Sequence, residues 1–232
     1  MTRRRVSNPL ALAVLSCLSE RPMHPYEIST TLRTRGKEQS IKLNYGSLYS
    51  VVESLHKHGL IASREATRSG RRPERTVYEI TEAGVTEFED WLAELLSEPV
   101  HDFTSLEAGL SLMPGLEPDE VARLLESRTD KLRVELRRMD AAHDQASGSG
   151  LPEIFLVESL YRRAMVAAEL EFVIGLAARI RSDDFGGTRL WRRMHALRAQ
   201  GISFEDILAD PVGKLGEEAR ALAPIPKKEP KS

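Results

Sequence analysis

Residues 44–59 read NYGSLYSVVESLHKHG and have the features of a helix with one apolar face. Asn44 is suited to capping the start of this helix, and Gly59 is suited to ending it. The apolar face consists of residues that recur at helical spacing, which are Leu48, Val51, Val52 and Leu55. The opposite face keeps small and hydrogen-bonding residues together with Lys57. Such a face is also found on ordinary surface helices of helical bundles, so the role of this helix has to be inferred from the segments that flank it.

Two further helices are predicted before this segment. Asn8-Pro9 supplies an N-cap and a first helical residue, and residues 10–18 are almost wholly apolar, so this helix must be buried on most sides. A second helix opens at Pro25, and Gly36 is a suitable C-cap.

A hairpin and a fourth helix are predicted after it. Residues 60–66 and 75–80 have the composition of two short strands, and the loop between them, TRSGRRPE at 67–74, is rich in turn formers and arginine. Thr81 then caps a helix from Glu82 to about Ser97. Three helices followed by a basic hairpin is the order of a winged helix-turn-helix.

Two long helices are predicted beyond residue 100. The first starts at 116–118, the segment 145–150 is predicted to be a flexible connection, and the second opens at Pro152 and runs to about Ser182. Shorter helices follow at 188–200 and 203–209. The fold class is therefore mainly α with a small β-hairpin wing, with an N-terminal winged helix-turn-helix at 1–98, a C-terminal helical domain at 99–223, and a disordered tail at 224–232.

The charge distribution separates the two ends of the chain. Residues 1–80 hold 14 basic and 7 acidic side chains, and the remaining 19 basic and 28 acidic side chains lie in residues 81–232. The net charges are therefore +7 and −9, although the whole chain carries only −2. The first third is thus suited to a polyanion such as DNA.

Composition argues against several other classes of protein. The single cysteine, Cys17, lies in an apolar run, which excludes an internal disulfide and disfavours a thiolate metal site. No apolar run is long enough to span a bilayer. The six histidines are scattered, and no Ser, His and acid arrangement, phosphate loop or metal motif is evident. We therefore expect no enzyme, cofactor, metal or membrane partner, and a cytoplasmic location that becomes nucleoid-associated on DNA.

Several short motifs in residues 9–90 resemble those of the PadR family of transcriptional regulators. They are Tyr26-Glu27-Ile28, Gly46-Ser47-Leu48-Tyr49, Gly59-Leu60-Ile61, Gly70-Arg71-Arg72-Pro73 and Tyr78-Glu79-Ile80-Thr81-Glu82-Ala83-Gly84. This resemblance implies a homodimeric repressor that binds double-stranded DNA and responds to a small hydrophobic or aromatic effector. Two-fold symmetry then predicts a pseudo-palindromic operator.

The residues expected to contact DNA lie on the helices and on the wing. A recognition helix places its first residues nearest the bases, hydroxyls can bond phosphates or base edges, and arginines can contact phosphates or the minor groove. The predicted contacts are Thr30, Tyr45, Gly46, Ser47, Tyr49, Ser50, Lys57, Arg68, Arg71, Arg72 and Arg75. Tyr49 could instead pack the sheet against the helices, and this packing role is the one expected for Tyr78. The arm Arg3–Arg5 is either a second contact or a solvated terminus.

Dimerisation and effector binding are assigned to the C-terminal helices. The residues predicted to form the dimer interface are Leu125, Leu132, Leu136, Met139, Val157, Tyr161, Met165 and Phe172. An effector pocket between the N-terminal domain and these helices is predicted to involve aromatic residues, namely Phe103, Tyr161, Phe172 and Trp191. The alternative for each aromatic residue is an ordinary core position.

One other function stays open at this point, a winged-helix protein-interaction module without specific DNA binding. A wing that binds proteins is expected to expose apolar residues. The arginine-rich tip of the predicted hairpin favours DNA instead.

Overall fold

The computed structural model describes residues 8–41, 44–64 and 76–222. The chain divides into two compact units between Asp102 and Phe103, whereas the sequence predicted a boundary between residues 98 and 99. The predicted tail at 224–232 lies outside the described residues.

Four helices form the body of the N-terminal unit: α1 (Pro9–Glu20), α2 (Pro25–Thr34), α3 (Tyr45–Lys57) and α4 (Glu82–Ser97), with a 3₁₀ turn at Lys37–Gln39. Asn8 caps the start of α1 as predicted, because its side chain accepts a hydrogen bond from the Leu10 N–H (3.0 Å). Helix α2 begins with a capping box that the sequence reasoning missed. The His24 ring accepts from the Tyr26 N–H (3.1 Å), and the Glu27 carboxylate accepts from the His24 N–H (2.9 Å).

The wing is built on an antiparallel pair of strands, β1 (Ile61–Arg64) and β2 (Val77–Ile80). Ile61 lies opposite Ile80, and Arg64 lies opposite Val77. Leu60 and Thr76, which were predicted to belong to the strands, lie just outside them, and the other ends of the predicted strands fall in residues 65–75, outside the described part. Met23, between α1 and α2, exchanges two backbone hydrogen bonds of 3.0 Å with Tyr78 and so joins this sheet to the helices.

Helix α1 lies at the centre of the N-terminal core. Its residues Leu10, Val14 and Leu15 have no exposed surface, as its apolar sequence predicted. The other core residues come from every neighbouring element, and they include Ile28, Leu48, Leu55, Ile61 and Trp91. This packing fixes which faces of α2 and α3 point outward. The order of the elements, with one two-stranded sheet among helices, confirms the predicted fold class of mainly helical structure with a small hairpin.

The C-terminal unit is entirely helical in its described part. Its α-helices are α5 (Ser105–Leu112), α6 (Pro118–Gly148), α7 (Val157–Arg181), α8 (Thr188–Ala199), α9 (Phe204–Ala209) and α10 (Pro211–Leu215), with 3₁₀ turns at Met113–Gly115, Glu153–Phe155 and Glu217–Leu222. None of the described helices is long and apolar enough to cross a membrane.

Helices α6 and α7 pack as an antiparallel hairpin. Ion pairs join them along their length: Arg181 with Glu126 (2.9 Å), Arg128 with Glu169 (2.6 Å), and Arg162 with Glu135 (2.9 Å). The apolar core of the unit lies at the end of this hairpin where α6 begins, and it consists of Val121, Ala122, Leu125, Val173, Leu176, Ala177, Ile180 and Trp191. The residues between α6 and α7 form the far end.

The structure corrects two predictions about the connection between these helices. Residues 145–150 were predicted to be flexible, but α6 continues to Gly148 and the chain turns at Gly150, whose φ is +79°. Three alanines and a glutamine, good helix formers, occur in 141–146 and favour this continuation. Pro152 precedes a 3₁₀ turn, so α7 starts only at Val157. Helices α5 and α10 were not predicted.

Candidate nucleic-acid interface

Helix α3 is held by its apolar face. Leu48, Val52 and Leu55 are almost completely buried in the core of the N-terminal unit. The first turn is fixed by Asn44, whose side-chain oxygen accepts a hydrogen bond from the Ser47 N–H (3.1 Å). The opposite face of α3 is therefore exposed because of the packing.

The exposed face carries most of the residues predicted to contact DNA. Gly46, Tyr49, Ser50 and Lys57 are exposed, Ser47 is half-buried, and Tyr45 is the first residue of α3. A Cβ on Gly46 would meet only the side-chain oxygen of Asn44, at an ordinary distance of 3.5 Å. The packing of this protein therefore does not require glycine at position 46.

The hydroxyl groups on this surface differ in their bonding. Ser50 donates to the Gly46 carbonyl (3.0 Å), and Thr30 of α2 donates to the Tyr26 carbonyl (3.0 Å), so both hydroxyls already use their protons within their own helices. They keep lone pairs that can accept hydrogen bonds. The Tyr49 side chain is 48% exposed, and no hydrogen bond joins its hydroxyl to the described residues. Of these three hydroxyls, that of Tyr49 is therefore the best placed to donate to a ligand.

Tyr78 is placed differently from Tyr49. It is half-buried against the N-terminal core, and its ring meets the His56 ring edge-to-face with the centroids 5.8 Å apart. Tyr78 therefore packs the sheet against α3, in line with the role expected from the sequence.

The predicted wing contacts Arg68, Arg71, Arg72 and Arg75 lie outside the described residues, as does the arm Arg3–Arg5. Arg64, the last residue of β1, and Thr76, which precedes β2, are exposed. Arg64 is 3.7 Å from the Glu79 carboxylate on the neighbouring strand, so part of its charge is already balanced.

The residues predicted for dimerisation fall into two sets. Val157, Tyr161, Met165 and Phe172 are each more than half exposed and lie on one face of α7, which we call the α7 stripe. The four α6 residues pack within the chain instead: Leu125 and Leu132 are buried, and Leu136 and Met139 are half-buried. Of the eight predicted residues, the four on α7 are therefore the ones that the chain itself leaves exposed.

The four aromatic residues predicted to line an effector pocket are not brought together by a described cavity. Trp191 lines a cavity of about 580 Å³, and Phe172 lines a second cavity of about 340 Å³. Phe103, 90% exposed, and Tyr161, 67% exposed, line neither. Both cavities lie within the C-terminal unit, and the larger is formed mainly by residues 185–222. Sequence reasoning missed this cavity because its walls come from short helices with no long periodic pattern.

Metal ligands do not cluster in the described part of the chain. Across residues 8–41, 44–64 and 76–222, no three His, Cys, Asp or Glu side chains are grouped closely enough to hold an ion. The thiol of Cys17 is buried in the core, and burial raises its pKa, which disfavours the reactive thiolate.

Residues 14–90 match the model of the transcriptional regulator PadR-like family. No curated protein sequence matches the chain. The fold resembles Bacillus subtilis PadR in complex with operator DNA, with a TM-score of 0.58 and 19% identity over 75% of this chain and 99% of that chain.

Two further structures have the same fold. Bacillus subtilis PadR in complex with p-coumaric acid has a TM-score of 0.56 and 16% identity, covering 74% of this chain and 98% of that chain. The Vibrio cholerae virulence activator AphA has a TM-score of 0.53 and 16% identity, covering 75% and 98% of the two chains. The matched segment 14–90 contains all of α3 and the described wing strands.

Proposed function

We propose that this chain, which belongs to the PadR-like family of transcriptional regulators through its residues 14–90, binds operator DNA as a homodimer and represses transcription. One observation carries the proposal: α3 is held in the core by its apolar face and exposes Gly46, Tyr49, Ser50 and Lys57. Bacillus subtilis PadR, which shares the fold, is known in complex with operator DNA.

The first turn of α3 is the part suited to the major groove. Backbone N–H groups at a helix N-terminus favour phosphate oxygens, because they lack partners within the helix and the helix dipole is positive there. Gly46 lets the DNA approach the backbone, and the Tyr49 hydroxyl can donate to a phosphate or a base edge. Lys57, at the other end of the exposed face, adds a cation.

In this proposal the wing arginines supply most of the positive charge, since Lys57 is the only lysine or arginine in α3. Arg68, Arg71, Arg72 and Arg75 occur within eight residues of sequence, so a hairpin tip would bring several guanidinium groups to one stretch of DNA. Each phosphate contact releases counterions, so affinity falls steeply as the salt concentration rises.

A second copy of the chain covers the α7 stripe in this proposal. The stripe leaves Tyr161 67% exposed and Phe172 54% exposed, which is unusual for large apolar side chains lying together on one helix. A two-fold dimer presents two α3 helices and so binds a pseudo-palindrome with half-sites about one helical turn, or a multiple of it, apart. We also propose that an effector acts through the C-terminal unit and that the protein works in the cytoplasm, on the nucleoid.

In vitro selection of bound duplex DNA tests this function. The native chain is compared with Arg71→Ala/Arg72→Ala and with a charge-matched control, Arg137→Ala/Arg193→Ala, which removes two exposed arginines from the C-terminal unit. We expect the native chain and the control to enrich one palindromic sequence, and the wing variant to bind it at least about tenfold more weakly. Equal binding at about 50 mM and about 500 mM salt would instead indicate a protein-interaction module. A reporter gene behind the selected operator then shows whether the protein represses.

A further inference from the structure

The larger cavity of the C-terminal unit has the size and lining of a small-molecule site. Its volume is about 580 Å³, within the range of about 300 to 1,000 Å³ typical of ligand pockets. The lining is almost wholly apolar and includes Met194, Ile207 and Leu215. Phe204, half exposed, lies at its margin.

The walls of this cavity are held by contacts that need no ligand. The Trp191 indole N–H donates to the carbonyls of Leu116 (2.8 Å) and Pro114 (3.2 Å), which fixes the ring against the turn after α5. Helix α9 is capped by Ser203, whose hydroxyl accepts from the Asp206 N–H (3.0 Å), and Ile207 of α9 is fully buried. The cavity is therefore largely preformed, which lowers the entropic cost of binding.

One cation lies beside this apolar space. Arg198 is the only charged side chain among the described residues of the lining. No carboxylate in the described part of the chain pairs with it, whereas Arg189 and Arg192 of the same helix pair with Glu218 and with Asp119. An apolar cavity edged by a guanidinium that no described carboxylate neutralises matches a ligand with an apolar body and a single negative group.

We propose that this cavity binds an amphiphilic monocarboxylate, whose apolar chain fills the space lined by Trp191 and Ile207 and whose carboxylate pairs with Arg198. The inference deepens the proposed function, because it identifies the effector site of the regulator and the chemical class of the effector. The bound chain removes apolar surface from water, and Arg198 distinguishes the anion from a neutral molecule of equal length.

The cavity is also connected to the helical hairpin that we propose dimerises. Trp191 and Met194 line the cavity and belong to the apolar cluster that contains Val121 of α6 and Ile180 of α7. A ligand that displaces either side chain must therefore change the packing at one end of the hairpin. An effector bound here lowers operator affinity if it favours a hairpin arrangement that DNA binding disfavours.

Calorimetric titration of the full chain with decanoate and with 1-decanol, without DNA, tests the site. The variants are Arg198→Gln and a matched control, Arg193→Gln, an exposed arginine of the same helix without an ion pair to the described residues. We expect decanoate to bind the native chain and the control equally, and about tenfold more weakly to Arg198→Gln, with no change for decanol. Absence of saturable decanoate binding, or equal binding by Arg198→Gln, would overturn the proposal.

Two further variants locate the ligand within the cavity. Leu208→Trp fills part of the space, and Phe204→Ala opens its margin. Phe204 is half exposed, so Phe204→Ala should keep the fold even if Leu208→Trp disrupts it. Both variants, checked by circular dichroism, should weaken both ligands. Unchanged binding in a folded variant would place the ligand elsewhere and refute this assignment.

Anisotropy of a labelled operator duplex separates this proposal from the function on which it rests. We expect decanoate to weaken operator binding by the native chain and not by Arg198→Gln. Decanoate binding by a chain that binds no DNA would overturn the regulator function but keep the carboxylate site. Operator binding that is insensitive to bound decanoate would overturn the effector role alone.

Discussion

Gly84 of α4 lies directly against the backbone carbonyl of Leu60, so closely that a Cβ on Gly84 would overlap the carbonyl oxygen. Thr81 joins the same two segments: its hydroxyl donates to the Gly59 carbonyl (2.7 Å) and accepts from the Gly84 N–H (3.1 Å). The first turn of α4 is thereby fixed to the residues between α3 and β1. This contact sets the position of the wing strands relative to α3.

Gly84→Ala should therefore destabilise the protein. The added methyl group meets backbone rather than a movable side chain, so we expect the free energy of unfolding to fall by about 1–3 kcal/mol or more. Gly46→Ala is the matched control, because its Cβ meets only the Asn44 side chain at 3.5 Å. The control should unfold at the same urea concentration as the native chain or at a slightly higher one. A Gly84→Ala variant as stable as the native chain would contradict the contact.

The same control variant tests the DNA surface. Because Gly46 is exposed and its Cβ has room, a methyl group there should leave the fold intact and obstruct only a ligand that approaches the helix backbone. We expect operator affinity to fall about tenfold or more while stability is kept. Fluorescence anisotropy measures this change. Native affinity in Gly46→Ala would show that α3 does not contact DNA closely at this position.

Tyr49→Phe tests the hydroxyl on the same surface. Tyr49 is 48% exposed and its hydroxyl has no partner in the described part of the chain, so its loss should not change stability. A lost hydrogen bond to DNA lowers operator affinity by roughly fivefold to tenfold. Unchanged affinity and stability together would remove any role for this hydroxyl.

Much of the N-terminal unit could be predicted because its signals are local. Asn8, Asn44 and Thr81 cap the helices they were expected to cap, and the apolar run of α1 predicted a helix buried on most sides. The exposed face of α3 followed from the spacing of its apolar residues. His24 was missed as a cap because histidine is not among the residues that usually occupy this position.

In the C-terminal unit, the partners of the apolar faces and the position of the cavity could not be predicted from the sequence. Apolar residues at heptad spacing predict a packing face but do not say whether the partner is the same chain or another copy. Leu125 and Leu132 are buried within one chain, whereas Tyr161 is left exposed. The cavity at Trp191 depends on loops and short helices far apart in sequence, so no local pattern indicated it.

A charged side chain on the α7 stripe should prevent dimerisation. Tyr161→Glu places a carboxylate where two apolar surfaces would meet, and burying an unpaired charge costs several kcal/mol. Light scattering should therefore give a dimer for the native chain and a monomer for the variant. Leu112→Glu is the control, since Leu112 of α5 is 75% exposed but lies outside the stripe. A monomeric native chain at micromolar concentration would refute the dimer.

The pH dependence of stability should reveal the ion pair of Asp119. Its carboxylate accepts hydrogen bonds from the Arg192 guanidinium, which lowers the pKa of Asp119. The pKa of Asp119 in the folded state therefore lies below its value in the unfolded state, which is about 3.9. The ion pair stabilises the fold fully above the unfolded-state pKa, and this stabilisation is lost as the pH falls through the folded-state pKa.

Asp119→Asn should therefore melt at a lower temperature than the native chain near pH 7, and the difference should shrink as the pH falls below about 4. Asp144→Asn, on the same helix, is a control without an ion pair to the described residues, and its difference should stay small throughout. A difference for Asp119→Asn that persists unchanged in acid would contradict the role of the ion pair.

Hydroxyl-radical footprinting of the full chain on its selected operator tests the central claim most directly. At about 50 mM salt we predict two protected patches on one face of the duplex, about one helical turn or a multiple of it apart, and their loss as salt rises. Gly46→Ala should lose both patches together, because the two copies of α3 are equivalent. A duplex left unprotected by the folded native chain at low salt would contradict the claim that this protein is a DNA-binding regulator.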